Sequence, residues 1–103
     1  MAEISIGKAD LKPGSSKCLS AADRQLSLAN IKGKYYCIDN LCTHAEGPLC
    51  EGEIGTVDDY SVTCPWHGSV FDYRDGKVLN GPARKEVRAY KVTERDGELF
   101  IEI

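Results

Sequence analysis

The sequence predicts a small all-β domain, an antiparallel β-sandwich or barrel, with a metal-binding subdomain inserted into it. Three observations lead there. Short runs of alternating apolar residues recur along the chain, separated by turns built on Gly and Asp. Helical periodicity is nearly missing. Both histidines sit beside cysteines in one paired pattern, inside loops rich in Gly and Pro.

The elements follow in chain order. Ile4 and Ile6 alternate with polar neighbours and read as a first strand. Cys18 falls in a second strand-like stretch. Ser20–Gln25 is the one helix candidate, and it is short. Leu26, Leu28 and Ile31 lead to a hairpin turn at Lys32-Gly33-Lys34, after which Tyr35–Ile38 returns. Glu53–Val57 and Tyr60–Thr63 flank Asp58-Asp59 as another hairpin. Val70–Asp72 and Lys77–Leu79 flank Tyr73-Arg74-Asp75-Gly76, where Gly76 supplies a positive φ. Val87–Thr93 and Glu98–Ile103 flank Arg95-Asp96-Gly97. Leu99, Ile101 and Ile103 share one face of the last strand, so that face is buried. About ten short strands at this spacing predict a sandwich or barrel. Residues 39–84 read as the inserted subdomain, and residues 1–103 as one domain.

Composition narrows the functional classes. A chain of 103 residues with 42 % apolar residues supports one core and little else. Its net charge of −3 argues against non-specific nucleic-acid binding. No apolar run is long enough for a membrane helix. Met1-Ala2-Glu3-Ile4-Ser5 does not read as a signal peptide, which points to the cytoplasm. A reducing compartment predicts free thiols at Cys18, Cys37 and Cys50. Cys18 and Cys37 read as small buried hydrophobes. Cys50 lies near the metal pattern and is open to three readings: packing, a spare ligand or a redox handle.

The chemistry is carried by Cys42-Thr43-His44 and Cys64-Pro65-Trp66-His67. Each segment brings one thiol and one imidazole, so the candidate ligands are Cys42, His44, Cys64 and His67. A structural zinc knot can use such a Cys2His2 set, although zinc fingers normally take two cysteines from one loop and two histidines from another. A [2Fe–2S] cluster with two thiolates on one iron and two imidazoles on the other wants this mix of residues.

The longer segments Cys42-Thr43-His44-Ala45-Glu46-Gly47-Pro48-Leu49 and Cys64-Pro65-Trp66-His67-Gly68-Ser69-Val70-Phe71-Asp72 resemble the two cluster-binding boxes of soluble Rieske-type ferredoxins. Asn80-Gly81-Pro82-Ala83 resembles that family's proline loop. The resemblance spans residues 34–84. It implies a Rieske-like fold, one [2Fe–2S] cluster, and a set of surrounding residues: Gly47, Pro48, Trp66, Gly68, Ser69, Phe71 and Pro82. It implies a one-electron carrier, not an enzyme, working between a flavin-containing reductase and a terminal oxygenase or similar acceptor. Rieske oxygenases need a further mononuclear iron with its own histidines, and both histidines here are already assigned. A small subunit of a larger reductase, such as nitrite reductase, and a non-redox zinc module are the alternatives.

The resemblance also bears on potential. High-potential relatives carry a disulfide between the two loops, at positions held here by Gly47 and Trp66. They carry a tyrosine that bonds a ligand sulfur, at the position of Phe71, and a serine beside a bridging sulfide, matched by Ser69. Two of those three devices are missing, which implies the lower half of the Rieske range, roughly −150 to +75 mV. Trp66 reads either as a cover over the cluster loop or as a docking residue. Glu46, Glu51, Glu53 and Asp72 form a candidate acidic field that steers a basic partner.

Overall fold

The computed structural model describes residues 2–103; Met1, where the expected domain and N-terminal segment begin, lies outside them. Eleven strands form: β1 Glu3–Lys8, β2 Ser15–Ala21, β3 Arg24–Ile31, β4 Lys34–Asp39, β5 Glu53–Ile54, β6 Ser61–Thr63, β7 Val70–Asp72, β8 Val78–Asn80, β9 Ala89–Tyr90, β10 Val92–Arg95 and β11 Glu98–Glu102. One 3₁₀ turn, Leu49–Glu51, lies between β4 and β5. The strands make three antiparallel sheets, ordered β1-β11-β10, β2-β3-β4-β9 and β5-β6-β7-β8.

The period of two along β3 explains how the sheets stack. Leu26 and Leu28 point to one side and pack with Ile6, Cys37, Tyr90, Leu99 and Ile101 from the first sheet and its neighbours. Ala29 and Ile31 point to the other side and pack with Val62, Phe71 and Tyr73 of the third sheet. The middle sheet is therefore covered on both faces, which is why the whole stretch Leu26–Ile31 is buried. Cys37 and Ile38 repeat this division on β4, one residue in each core. Cys37 is 1 % exposed, and burial pushes its thiol up to about 12, so it behaves as the small hydrophobe its sequence context suggests.

Most predicted hairpins form in register. Leu26 pairs with Asp39 and Ile31 with Lys34 around the Lys32-Gly33 turn, and Gly76 takes φ 78° in the β7–β8 connection. Four expectations are corrected. Ser20–Gln25 is not helical: β2 runs to Ala21, β3 starts at Arg24, and Ala22 and Asp23 at φ 52° and 61° make the tight turn between them. The left-handed pair suits the twist of a two-residue hairpin, and strand pairing over Ser15–Ala21 outweighs the helix preference of two alanines. The Asp58-Asp59 hairpin pairs only Glu53 with Thr63 and Ile54 with Val62, because Asp58 and Ser61 bond the intervening backbone into its own turn. Val87–Thr93 is not one strand. It breaks at Lys91, as β9 pairs with β4 in the middle sheet and β10 with β11 in the first. Cys18 is exposed on β2 rather than buried, and it is bonded to Cys50.

Candidate metal centre

Two loops with the same backbone design carry the Cys-His segments. In the first, the Cys42 N–H donates to the Gly47 carbonyl at 2.9 Å, and the Glu46 N–H donates back to the Cys42 carbonyl at 2.7 Å. In the second, the Cys64 N–H donates to Ser69 at 2.7 Å, and the Gly68 N–H donates to Cys64 at 3.1 Å. Both loops thus close on the residue five positions after the cysteine. In both, the residue four positions on is left-handed: Glu46 at φ 60° and Gly68 at φ 79°. This turn folds the loop tip over its own cysteine and throws the following histidine outward.

The result is a layered donor set. Cys42 and Cys64 are 1 % and 2 % exposed and belong to the apolar cluster of Leu49, Val62, Phe71 and Ala83. His44 and His67 are exposed, with ring centroids 5.0 Å apart and planes at 87°. Burial pushes the Cys64 thiol up. The backbone N–H groups of Trp66 and His67 pull it the other way, and the adjacent Cys42 thiol pushes it up again. Two thiols forced together with amide N–H groups aimed at one of them are suited to carry charge only when a cation neutralises it.

A tetrahedral zinc with Zn–S of about 2.3 Å keeps its donors about 3.8 Å apart. Among the described residues, no three of these four donors lie mutually within 4.8 Å. The Cys42 thiol lies beside that of Cys64, and the rings of His44 and His67 stand 5.0 Å apart, an arrangement that split ligation of two irons can use. The space is also tight where sulfur must sit: a Cβ on Gly47 would come 2.6 Å from Cys64 Sγ and 3.0 Å from the Trp66 ring.

Gly47 lies under Trp66, so these two positions adjoin without any sulfur to join them. Trp66 is 58 % exposed and Leu41, next to Cys42, is 40 % exposed, so Trp66 covers Gly47 while keeping much of its ring in solvent. Ser69 is buried and its Oγ accepts the Ala83 N–H at 2.9 Å, which ties the second loop to the segment after the cis Gly81–Pro82 peptide. Phe71 is fully buried. Pro48 caps the 3₁₀ turn and pairs with Leu41 across the base of the first loop, and Pro82 is exposed. Asp72 does not join a surface field. It is 5 % exposed and takes a bidentate clamp from Arg74, at 2.8 Å to Nη2 and 3.1 Å to Nε. Burial opposes its charge, but the Arg74 guanidinium and N–H hold its carboxyl below the usual range. Glu46, Glu51 and Glu53 remain exposed, but Arg84 and Lys85 are exposed on the proline segment as well.

Sequence reasoning missed two residues and one pairing. Asn40 is 5 % exposed and organises the first loop: its Oδ1 accepts the Cys50 N–H at 2.7 Å and its carbonyl accepts the Leu49 N–H at 2.8 Å. An Asn directly after a strand signals backbone capping, but not which amide it caps. Thr43 donates to the Lys85 carbonyl at 2.6 Å, and Cys18 bonds Cys50. Both contacts are remote in sequence and leave no local signal.

Buried paired thiols beneath exposed paired imidazoles, on three small antiparallel sheets, are a donor set suited to one class, an iron–sulfur protein with mixed Cys and His ligation. The profile of the Rieske [2Fe-2S] domain matches residues 4–91, and the chain belongs to that family. Its cofactor is the Rieske [2Fe–2S] cluster, not zinc. It is 32 % identical over 78 residues to the ferredoxin component of the p-cumate 2,3-dioxygenase system of Pseudomonas putida, a match covering 76 % of this chain and 64 % of that protein, just under two thirds of its length. It is 33 % identical, again over 78 residues, to the 3-phenylpropionate/cinnamic acid dioxygenase ferredoxin subunit of Escherichia coli K12, covering 76 % of this chain and 72 % of that one. The ferredoxin of carbazole 1,9a-dioxygenase from Nocardioides aromaticivorans IC177 superposes with a TM-score of 0.90 at 28 % identity, over 98 % of this chain and 97 % of that one. Among the described residues no helix is long and apolar enough to cross a membrane.

Proposed function

We propose that this chain is the ferredoxin of a multicomponent dioxygenase system, taking one electron from a flavin-containing reductase and passing it to the terminal oxygenase. Cys42 and Cys64 hold one iron, and His44 and His67 hold the other. The observation that carries this reading is the layering: two thiols at 1 % and 2 % exposure beneath two solvent-facing imidazoles 5.0 Å apart. Residues 1–103 act as one domain, with about 39–84 as its cluster-binding subdomain, and the protein works in the cytoplasm.

The cluster supplies a one-electron couple whose two neutral imidazoles, in place of two thiolates, raise its potential above that of all-Cys clusters. The chain does the rest. Cys42 and Cys64 sit among apolar side chains that keep water off the sulfurs. His44 and His67 bring the other end of the site to the surface, so an electron needs to cross little protein to reach a partner. Trp66 and Leu41, each beside a ligand in the chain and each exposed, offer the apolar patch on which a partner settles. Phe71 offers no hydroxyl to sulfur, and the Gly47/Trp66 pair no disulfide, so the potential lies low in the Rieske range. Phe71→Tyr raises it.

The test is reconstitution. Purified protein should hold two irons per chain, bleach reversibly on addition of one electron, and shuttle electrons between a dioxygenase reductase and its oxygenase. Zinc in place of iron, or a cluster that no flavin reductase reduces, would overturn the reading. Trp66→Ala should weaken transfer to the oxygenase while the protein still holds two irons per chain.

A further inference from the structure

The bond between Cys18 and Cys50 has no part in the electron path proposed above. It joins residues 32 apart in sequence, with Cα atoms 5.0 Å apart. Cys18 lies on β2, an edge strand of the middle sheet, and Cys50 in the 3₁₀ turn that follows the first cluster loop. The two sulfurs are not equivalent. Cys18 is exposed, while Cys50 is 6 % exposed. The Cys50 peptide is pinned on both sides: its N–H donates to Asn40 Oδ1 at 2.7 Å, and its carbonyl accepts Ser16 Oγ at 3.1 Å.

We propose that Cys18–Cys50 is a thiol–disulfide exchange site, entered at Cys18 by a dithiol reductant, and that opening it loosens the first cluster loop. A thiolate of the reductant attacks the Sγ of Cys18, the exposed residue of the pair. The bond breaks, and Cys50 leaves as a thiolate that takes a proton from water. The reductant's second thiol loses its proton to solvent and attacks its own sulfur in the mixed disulfide, and Cys18 leaves and is protonated. The reductant's two thiols become a disulfide, and the protein's disulfide becomes two thiols. Two electrons and two protons have moved.

The pinned Cys50 peptide dictates the choice of a dithiol. After the first attack, Cys50 Sγ stays held near Cys18, at a high effective concentration, and re-forms the bond by expelling a monothiol. Only a reductant that resolves the mixed disulfide within itself outruns that return.

Loosening is confined to one loop by topology. The first loop is closed at its base by the Leu41–Pro48 bridge and by Asn40, is tied by Thr43 to the Lys85 carbonyl, and is joined to β2 by the Ser16–Cys50 hydrogen bond and this disulfide. The second loop joins β6 to β7 and is held by their ladder, so it does not depend on Cys18. This consequence rests on the first loop being a cluster loop, whereas the exchange chemistry does not.

The experiment uses the holoprotein, lysed in N-ethylmaleimide and then incubated without air in buffer, 2-mercaptoethanol or dithiothreitol. Each sample is quenched in acid, alkylated after denaturation and weighed. Buffer and 2-mercaptoethanol should give a mass with three tagged cysteines, Cys37, Cys42 and Cys64, and dithiothreitol five. Five tags at the outset, or three after dithiothreitol, would overturn the exchange site. Cluster loss to an iron chelator, followed by absorbance, should run several-fold faster after dithiothreitol. Cys18→Ser should lose its cluster at that faster rate and ignore the reductant. Equal rates in all samples, with the tag counts as expected, would leave an exchange site uncoupled from the loop and so defeat the second half of the proposal. The tag count reads the sulfur pair whatever holds the cluster, so its failure is separate from failure of the ligand assignment.

Discussion

The two cluster loops share a backbone plan and differ in what holds them. The second is the connection of a β-hairpin: Thr63 pairs with Val70 at its base, and the ladder continues through Val62–Phe71 and Ser61–Asp72. Its left-handed residue is Gly68, for which that conformation is nearly free. The first loop has a single bridge at its base, Leu41 to Pro48, and its left-handed residue is Glu46, whose Cβ makes the same φ costly. One buried amide side chain, one threonine, one serine and one disulfide replace the missing ladder. The same turn can thus be stabilised by local pairing or by scattered tertiary anchors, and the second kind is open to removal one anchor at a time.

If the loops are equal partners in ligation, removing a donor from either should be equally severe. Cys42→Ser, His44→Ala, Cys64→Ser and His67→Ala should each abolish the Rieske absorbance and most bound iron, whichever loop is hit. Retained absorbance in one of them would show that another residue is the ligand.

A methyl group separates the loops next. At Gly47 a Cβ would meet Cys64 Sγ at 2.6 Å, so Gly47→Ala should cost about 1–3 kcal/mol as overpacking and sharply lower cluster yield. At Gly68 a Cβ meets nothing within 4 Å, and the φ of +79° alone is at stake. Gly68→Ala should cost about 1 kcal/mol in denaturant titration and keep its cluster. Reversed effects would mean that the strain, not the space, controls the site.

The anchors come third. Asn40→Ala leaves the buried Cys50 N–H unpaired, a cost of about 1–3 kcal/mol, and should speed chelator-driven loss of the cluster. Ser69→Ala leaves the Ala83 N–H unpaired at a similar cost, but the β6–β7 ladder should limit the gain in loss rate. The smallest effect runs the other way. Glu46→Gly relieves a left-handed side chain and should stabilise the holoprotein by about 0.5–1 kcal/mol, less than the full strain because glycine also frees the unfolded chain.

Legibility divides along the same line as anchoring. The second loop and its hairpin could be read directly: Val70–Asp72, the turn at Gly76 and the box at Cys64 are all sequence-local, and each falls where its pattern placed it. The ends of the Asp58-Asp59 hairpin and the break at Lys91 could not, because a strand's extent depends on which partner it finds. Ser20–Gln25 lost its helix to a pairing partner for the same reason.

By itself the sequence determined the class of fold, the family and the cofactor, and it supplied the mixed Cys and His set proposed to hold that cofactor. Each depends on residue types at short fixed spacings, and short spacings are all that a turn around a metal requires. Only the tertiary structure decided that thiols lie below imidazoles, that Asp72 belongs to Arg74 and not to a docking field, and that Asn40 holds the first loop. It alone brought Cys18 to Cys50, against the expectation of free thiols. Burial and long-range pairing follow from how three sheets stack, and stacking is settled by the sum of many weak apolar contacts spread over the chain, not by any run of residues within it.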